Sequence, residues 1–427
     1  MALSNELIAT YTEILKEELI PAMGCTEPIA IAYAASIISH ALGGAPTSLK
    51  VGLSGNIIKN VKSVIVPMTG GMHGIDSAIC AGIVSASPQK RLEVLSALST
   101  SDTEKIKAYR ENTPIEIYEL ETENAFEILI EGSLNGSVVT ANLAKRHTNV
   151  IFVKKNSQDV TSEYVSAQDT VEKETTDRSL LNVKDIVEFA ETVELSTLAP
   201  YLEKQIEYNM AIAEEGLRGK WGASIGKTLL SLSQGWRTAA RAYAAAGSDA
   251  RMSGCELPVC IISGSGNQGI TASVPVLIYA KSVGASHEDT LRALIASDLI
   301  TIHQKTGIGC LSAYCGAISA GCGCGCGIAF LDGGRYYEIA HTLVNAIAIL
   351  SGTICDGAKS SCAAKIAMAV DAGILGYEMM KSGNQFLGGD GIITKGVENT
   401  IKNVSRLAQK GMSETDREII KIMLGKE

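Results

Sequence analysis

The residues best suited to chemistry in this chain are cysteines, and they stand in unequal settings. Cys25 lies within Gly24-Cys25-Thr26-Glu27-Pro28, while Cys310, Cys355 and Cys362 lie far downstream in Gly-rich, sparsely charged sequence. Three thiolates with a fourth position left open suit an iron–sulfur cluster that works as a Lewis acid, the chemistry of eliminating water or sulfide from a small amino acid. Spacing alone leaves cluster ligation and core packing both open. Cys355 and Cys362 on an unbroken helix would share a face but sit roughly 10.5 Å apart in rise. One compact cluster therefore needs a bend, which Asp356-Gly357 offers. Neither a ferredoxin C-x2-C-x2-C run nor a paired zinc C-x2-C occurs.

Other candidates each carry a plainer alternative. Cys25 precedes a helix start, where backbone N–H groups and the helix dipole favour thiolate and so a metal ligand or a general base. A buried turn cysteine is the alternative. Glu27 reads as a first-turn charge that complements the dipole. Cys322, Cys324 and Cys326 alternate with glycine; alternate residues on a helix point in different directions, which favours close helix packing over ligation. Cys80, Cys255, Cys260 and Cys315 read as small buried hydrophobes. In Gly264-Ser265-Gly266-Asn267-Gln268-Gly269, exposed amides of Ser265, Gly266, Asn267 and Gln268 offer a seat for a substrate carboxylate. Gly222 to Thr228 resembles a phosphate loop one residue short, with Trp221 where the first glycine belongs, and reads as helix.

These residues must be positioned by a chain of 427 residues, 46% apolar and only 5% aromatic, which is one large domain or two ordinary ones. A core of Ala, Gly, Ile and Cys implies closely packed helices. Helical periodicity runs from Ser4 to Glu18, and a second helix from about Pro28 to Leu42 is ended by Gly43-Gly44. From Thr47 to Lys155 the pattern changes. A strand is expected at 49–53, helices at 74–85 and 89–110, and half-buried strands at 115–118, 126–130, 138–143 and 150–153, with Asn135-Gly136 as a hairpin turn. Residues 154–178 are polar and read as a linker, and the remainder reads as helix. The expected fold class is α+β: a mainly helical catalytic domain, residues 1–44 plus 165–427, with a smaller α+β module inserted at 45–164.

Composition also excludes partners. The net charge is −9 with no long basic stretch, so nucleic acid is not an expected partner. Two uncharged stretches, 257–280 and 306–331, have the length of a membrane span, but proline, polar residues and glycine dilute them. Buried core is the better account. Eleven cysteines and an N-terminus without a basic region and apolar core point to a reducing, cytoplasmic setting without structural disulfides. A homodimer is an assembly this reading allows.

With Met23-Gly24-Cys25-Thr26-Glu27-Pro28, Ser54-Gly55-Asn56-Ile57-Ile58-Lys59-Asn60, Gly264 to Gly269, Cys355 to Cys362 and the tail around Gly391-Ile392-Ile393, the chain resembles the L-cysteine desulfidase family over nearly its whole length. That family is related to the α chains of iron–sulfur L-serine dehydratases. The resemblance implies a [4Fe–4S] cluster on Cys310, Cys355 and Cys362, with Cys25 near it as base or resting fourth ligand. It implies a lyase that converts L-cysteine to pyruvate, ammonia and sulfide, with L-serine dehydration as the alternative. A non-catalytic iron–sulfur or thiol sensor is the alternative of another class. Bacterial serine dehydratases carry a C-terminal cysteine that reaches the cluster; here the sequence reads Met423-Leu424-Gly425-Lys426-Glu427, which favours the desulfidase branch.

Overall fold

A computed structural model of the chain describes residues 3–165, 176–309 and 312–425; Cys310 and part of the expected linker lie outside the described residues. The architecture is α+β and mainly helical. Helix α1 (Asn5–Glu18) is capped by Ser4, whose hydroxyl accepts from the Leu7 N–H at 3.2 Å. Strand β1 (Pro21–Met23), helix α2 (Thr26–Leu42) and strand β2 (Ser48–Leu53) follow. Gly43 stops α2 at φ 76°, a left-handed cap that glycine adopts without a Cβ penalty.

Then come α3 (Gly55–Val61), α4 (Ile75–Ser85), α5 (Asp102–Asn112), β3 (Ile115–Glu119), β4 (Glu127–Leu134), β5 (Ser137–Ala144), β6 (Val150–Lys155) and β7 (Gln158–Asp159). The six-stranded sheet has the order β3-β2-β4-β5-β6-β7. Only the β2–β3 pairing is parallel. Asn135 and Gly136 turn between β4 and β5 with φ of 50° and 79°, the paired positive values of the tight hairpin the sequence predicts. Ile128 and Ile130 on β4, and Val139, Ala141 and Leu143 on β5, alternate into the core. The single helix expected over 89–110 is instead a 3-10 stretch, Pro88–Ala97, followed by α5. Arg91 breaks it at φ 49°, and the Asp102 carboxylate accepts from the Ser99 N–H at 2.9 Å, turning the chain before α5 begins.

The second half comprises α6 (Val183–Thr192), α7 (Ala199–Arg218), α8 (Ile225–Leu232), α9 (Trp236–Met252), β8 (Pro258–Cys260), α10 (Gly266–Val283), α11 (His287–Ile308), α12 (Gly316–Leu331), α13 (Tyr336–Ile349), α14 (Cys362–Lys381), α15 (Val397–Arg406) and α16 (Ser413–Leu424). Helix α12 is the hub, packed against α10, α11, α13 and α14. Among the described residues no helix is long and apolar enough to cross a membrane.

Two large apolar cores result. One holds α1 with the helices of the second half; the other holds α2 and α4 against the sheet. The N-terminal helix pair therefore divides between the cores, where the sequence reading keeps 1–44 together with the helical half. The reason lies in α2 itself: Ile29, Ala30, Ile31, Ala32, Tyr33, Ala34 and Ala35 are all buried, so its sequence shows no polar face that would select a partner.

Candidate active site

A small antiparallel ribbon begins the site. Strands β1 and β8 pair Pro21 with Cys260 and Met23 with Pro258, which brings the Gly24–Pro28 motif beside the loop that opens α10. The Thr26 hydroxyl locks the two, donating to the Gly264 carbonyl at 2.9 Å. Cys25 is the N-cap residue of α2, 2% exposed, with its sulfur 3.9 Å from that of Met252. Next in sequence, the Glu27 carboxylate accepts from the Asn60 amide at 2.9 Å, which ties α2 to α3.

A second pairing brings distant thiols together. Tyr314 and Ile354 form an antiparallel bridge; the Cys315 N–H donates to Thr353 at 3.1 Å and the Cys355 N–H to Ala313 at 2.7 Å. Cys315 and Cys355 are thereby diagonal neighbours on one face of the pair. The bend expected at Asp356-Gly357 is present: Gly357 takes φ 94°, and a Cβ there would strike the Lys59 carbonyl at 2.2 Å. Beyond it Cys362 begins α14.

These segments enclose a cavity of about 110 Å³. Its wall includes Cys25, Glu27, Lys59, Arg251, Ser265, Asn267, Gln268, Lys305, Cys315, Cys355, Cys362 and Lys365. Of the residues singled out in the sequence, Cys25, Cys355, Cys362, Ser265, Asn267 and Gln268 thus share one cavity; Gly266 lies in the same loop, and Cys310 is outside the described residues. Among the described residues no group of three or more His, Cys, Asp or Glu side chains converges to hold a metal ion.

Charge distinguishes the thiols. Cys355 is pulled down from its ordinary value to about 5 by a hydrogen bond with the Cys315 thiol, against burial, aided by Lys59, the Gly357 backbone and Lys305. Cys315 is pushed well up by the same hydrogen bond and by burial, so the pair is a thiolate at Cys355 facing a thiol at Cys315. Burial pushes Cys362 up. Cys25 corrects the sequence reading. Burial pushes it up to about 12, and the nearby Arg251 only partly offsets this, so it is a neutral thiol and not the thiolate expected of a helix start. Desolvation of a fully enclosed sulfur outweighs the dipole of the helix it caps.

The cations around these thiols are anchored from behind. Lys59, buried, is ion-paired with Asp416 of α16. The Lys365 ammonium donates to Asp356 at 2.5 Å and to the Ile354 carbonyl at 2.7 Å.

Sequence reasoning misses Cys315, Arg251, Lys59, Lys305 and Lys365. Cys315 lies next to Gly316 in a stretch that looks like uniform apolar core, and only its pairing with 353–355 gives it a function. Arg251 falls in the last turn of an Ala-rich helix, where a basic residue normally just complements the dipole. Lys59 alone left a signal, within the Ser54–Asn60 segment.

Two other motifs resolve into structure. Cys322, Cys324 and Cys326 are buried within α12, and the glycines that alternate with them carry the contacts. A Cβ at Gly321 would meet the Ala369 carbonyl at 2.3 Å and one at Gly325 the Gly373 carbonyl at 2.4 Å. This is the close helix packing expected of the run. In the phosphate-loop-like segment, the N–H groups of Ala223, Ile225 and Gly226 donate to the Asp249 carboxylate at 3.2, 2.7 and 3.4 Å, so the protein supplies its own anion there.

The family model for the serine dehydratase alpha chain matches residues 89–421. The chain belongs to this family. It is also 52% identical to a UPF0597 protein of Desulfitobacterium hafniense, over 97% of this chain and 96% of that one. UPF0597 proteins of Lachnoclostridium phytofermentans and Treponema denticola are 46% and 43% identical, over 96% and 99% of this chain and 98% and 100% of theirs. The family match begins after the Gly24–Pro28 motif and takes in the Gly264–Gly269 loop and the cysteines at 310, 315, 355 and 362.

Proposed function

We propose that the protein is an iron–sulfur-dependent lyase that eliminates the β-substituent of L-cysteine, giving pyruvate, ammonia and sulfide. Membership of the serine dehydratase alpha chain family supports the lyase class. The observation that carries the reading is the Cys355 thiolate, held with Cys315 and Cys362 in a cavity ringed by Lys59, Lys305 and Lys365.

The donor set fits a cluster in its chemistry. Thiols open on one cavity, and fixed cations favour the anionic form a metal thiolate needs. Cys310, Cys355 and Cys362 would hold the [4Fe–4S] cluster, with Cys315 beside Cys355 as a further thiol. When bound, a cluster with one open iron site supplies a Lewis acid for the leaving sulfur or hydroxyl.

The chain's own residues do the rest. The Ser265–Gln268 loop, at the N-terminus of α10, orients the substrate. Cys25 takes the proton at Cα only after passing its own thiol proton to the Glu27 carboxylate, which lines the same cavity, and Arg251 favours the thiolate that results. Loss of the Cα proton and of the Cβ–S bond yields hydrogen sulfide and an enamine, which tautomerises to an imine. Water then hydrolyses the imine to pyruvate and ammonia.

Anaerobic reconstitution with iron and sulfide, followed by the visible spectrum and by pyruvate release from L-cysteine and L-serine, tests the proposal. The expected result is a broad band near ~400 nm of the kind such clusters give, with faster turnover of cysteine than of serine. Faster turnover of serine would make the protein a serine dehydratase. A cluster without turnover of either amino acid would overturn the lyase reading.

A further inference from the structure

We propose that Arg251 is the anchor for the α-carboxylate of the substrate, and that it and Gln268 make the cavity a site for an α-amino acid zwitterion. Arg251 is 4% exposed and lines the cavity, yet no carboxylate pairs with it among the described residues. Among the described residues its guanidinium makes one hydrogen bond, from Nη1 to the Asn267 Oδ1 at 3.2 Å, and its Nε is buried with no acceptor. A buried guanidinium without an anion is costly, because desolvation is not offset by a partner. Two other cavity cations differ: Lys59 has Asp416 and Lys365 has Asp356.

The position of the guanidinium sharpens the point. It is pressed against the first turn of α10: a Cβ on Gly266 would lie 2.5 Å from Nε and 2.9 Å from Cζ. That turn is the positive end of an 18-residue helix, and Ser265 caps it with no side-chain hydrogen bond. A guanidinium and a helix N-terminus are two positive groups in one place, and among the described residues no carboxylate is ion-paired with the guanidinium. Asp249 shows what this chain does elsewhere, placing a carboxylate on the exposed N–H groups that begin α8. At α10 that carboxylate is missing, and the ligand brings it. Arginine suits the task because its planar fork matches a carboxylate.

The rest of the zwitterion has a counterpart. Gln268 is 4% exposed, lines the same cavity, and its Oε1 is buried without a donor. The side-chain amide lies where a Cβ on Gly316 would strike it at 2.7 Å, so Gly316 makes room for it. An unfilled acceptor beside an unfilled guanidinium is the pattern that an ammonium and a carboxylate on one carbon complete.

The ligand chosen rests on the lyase reading, and the test separates the two. L-serine and ethanolamine, the same molecule without its carboxylate, are titrated calorimetrically into the anaerobically reconstituted protein and its Arg251→Gln variant. Turnover of L-cysteine and bound iron and sulfide are measured alongside. Loss of a buried charge pair predicts L-serine binding weaker by about thirtyfold or more in the variant. Ethanolamine binding, already weak, is expected to stay unchanged. KM for L-cysteine should rise more than kcat falls, and Arg251→Lys should recover part of the loss. Should Arg251→Gln fail to fold, Gly266→Ala, which drives a methyl into the guanidinium, is expected to give the same selective loss.

L-serine binding within about threefold of the unaltered protein would overturn the inference. So would loss of iron and sulfide with affinity for L-serine intact, which would assign the guanidinium to the cluster, or no L-serine binding by the unaltered protein. Turnover of cysteine with KM unmoved in Arg251→Gln would sink this inference and leave the lyase standing. Carboxylate-dependent binding through Arg251 without turnover would do the reverse.

Discussion

Two cysteine-rich regions of this protein have opposite fates. In α12, Cys322, Cys324 and Cys326 sit one residue apart and look the more metal-like by sequence, yet each is sealed among helices. Burial raises their pKa, Cys322 to about 12. Around the cavity, Cys315, Cys355 and Cys362 are separated by up to 46 intervening residues, yet meet on one wall. There a hydrogen bond with the Cys315 thiol, aided by Lys59 and Lys305, pulls Cys355 the other way, to about 5. Thiol chemistry follows from the hydrogen-bond donors and charges that surround a sulfur and not from how many sulfurs are adjacent in the chain. Glycine divides the regions in the same sense. In α12 it lets helices touch, and at 357 it turns the chain so that two thiols converge.

The contrast is open to attack. Its largest expected consequence is that Cys355→Ala lowers pyruvate release by more than about a thousandfold, roughly 4 kcal/mol in barrier, while the melting temperature barely moves. An equal loss of activity in Cys324→Ala would break the distinction. In the other direction, Gly325→Ala should cost about 3 kcal/mol of stability by urea denaturation, because its methyl meets the Gly373 backbone, which cannot step aside.

A third prediction concerns reactivity in metal-free protein. A thiol at about 5 is ionised at pH 6, where an ordinary thiol is not. Lower intrinsic nucleophilicity offsets part of that gain, so iodoacetamide should modify Cys355 on the order of ten times faster than an ordinary thiol at pH 6. The advantage should fade as pH falls through about 5, and Cys322, Cys324 and Cys326 should stay unmodified until the protein unfolds. Mass spectrometry of the digested protein reads this directly, and equal labelling of the two regions would contradict it.

The last test, which leaves the cavity untouched, isolates burial without cations. Asp298 is fully buried, its Oδ1 accepts from the Gln205 amide at 3.1 Å, and burial pushes it up to about 8. The native state therefore holds a proton that the unfolded chain releases near pH 4, so stability declines as pH rises from about 4 to about 8. Asp298→Asn removes that decline. It should raise stability at pH 8 by up to about 5 kcal/mol, about 1.4 for each pH unit of that window, and leave it unchanged at pH 4, as urea midpoints at the two pH values would reveal. A pH-independent difference would mean that the gain is one of packing.

Some of this was legible in the chain. The strands at 115–118, 126–130, 138–143 and 150–153 follow from period-2 alternation, and the Asn135-Gly136 turn from the positive φ those residues tolerate. The helices of the second half follow from their Ala-rich texture. The Cys25 motif, the bend before Cys362 and the 264–269 loop were visible because Gly and Pro mark local backbone geometry. The partners were not. Nothing local says that Cys315 faces Cys355, since a bridge between Tyr314 and Ile354 sets that contact. Nor does α2 state which core takes it, because it is apolar on every side. The thiolate expected at Cys25 failed for a related reason: its desolvation depends on what covers it.

What the sequence by itself determined is the set of reactive residues, the α+β class and the local turns, each fixed by short-range patterns of polarity and backbone freedom. What only the tertiary structure decided is which thiol is charged and which cation lacks an anion. Those properties arise from desolvation and from charges brought close by segments hundreds of residues apart, and no window along the chain contains both partners.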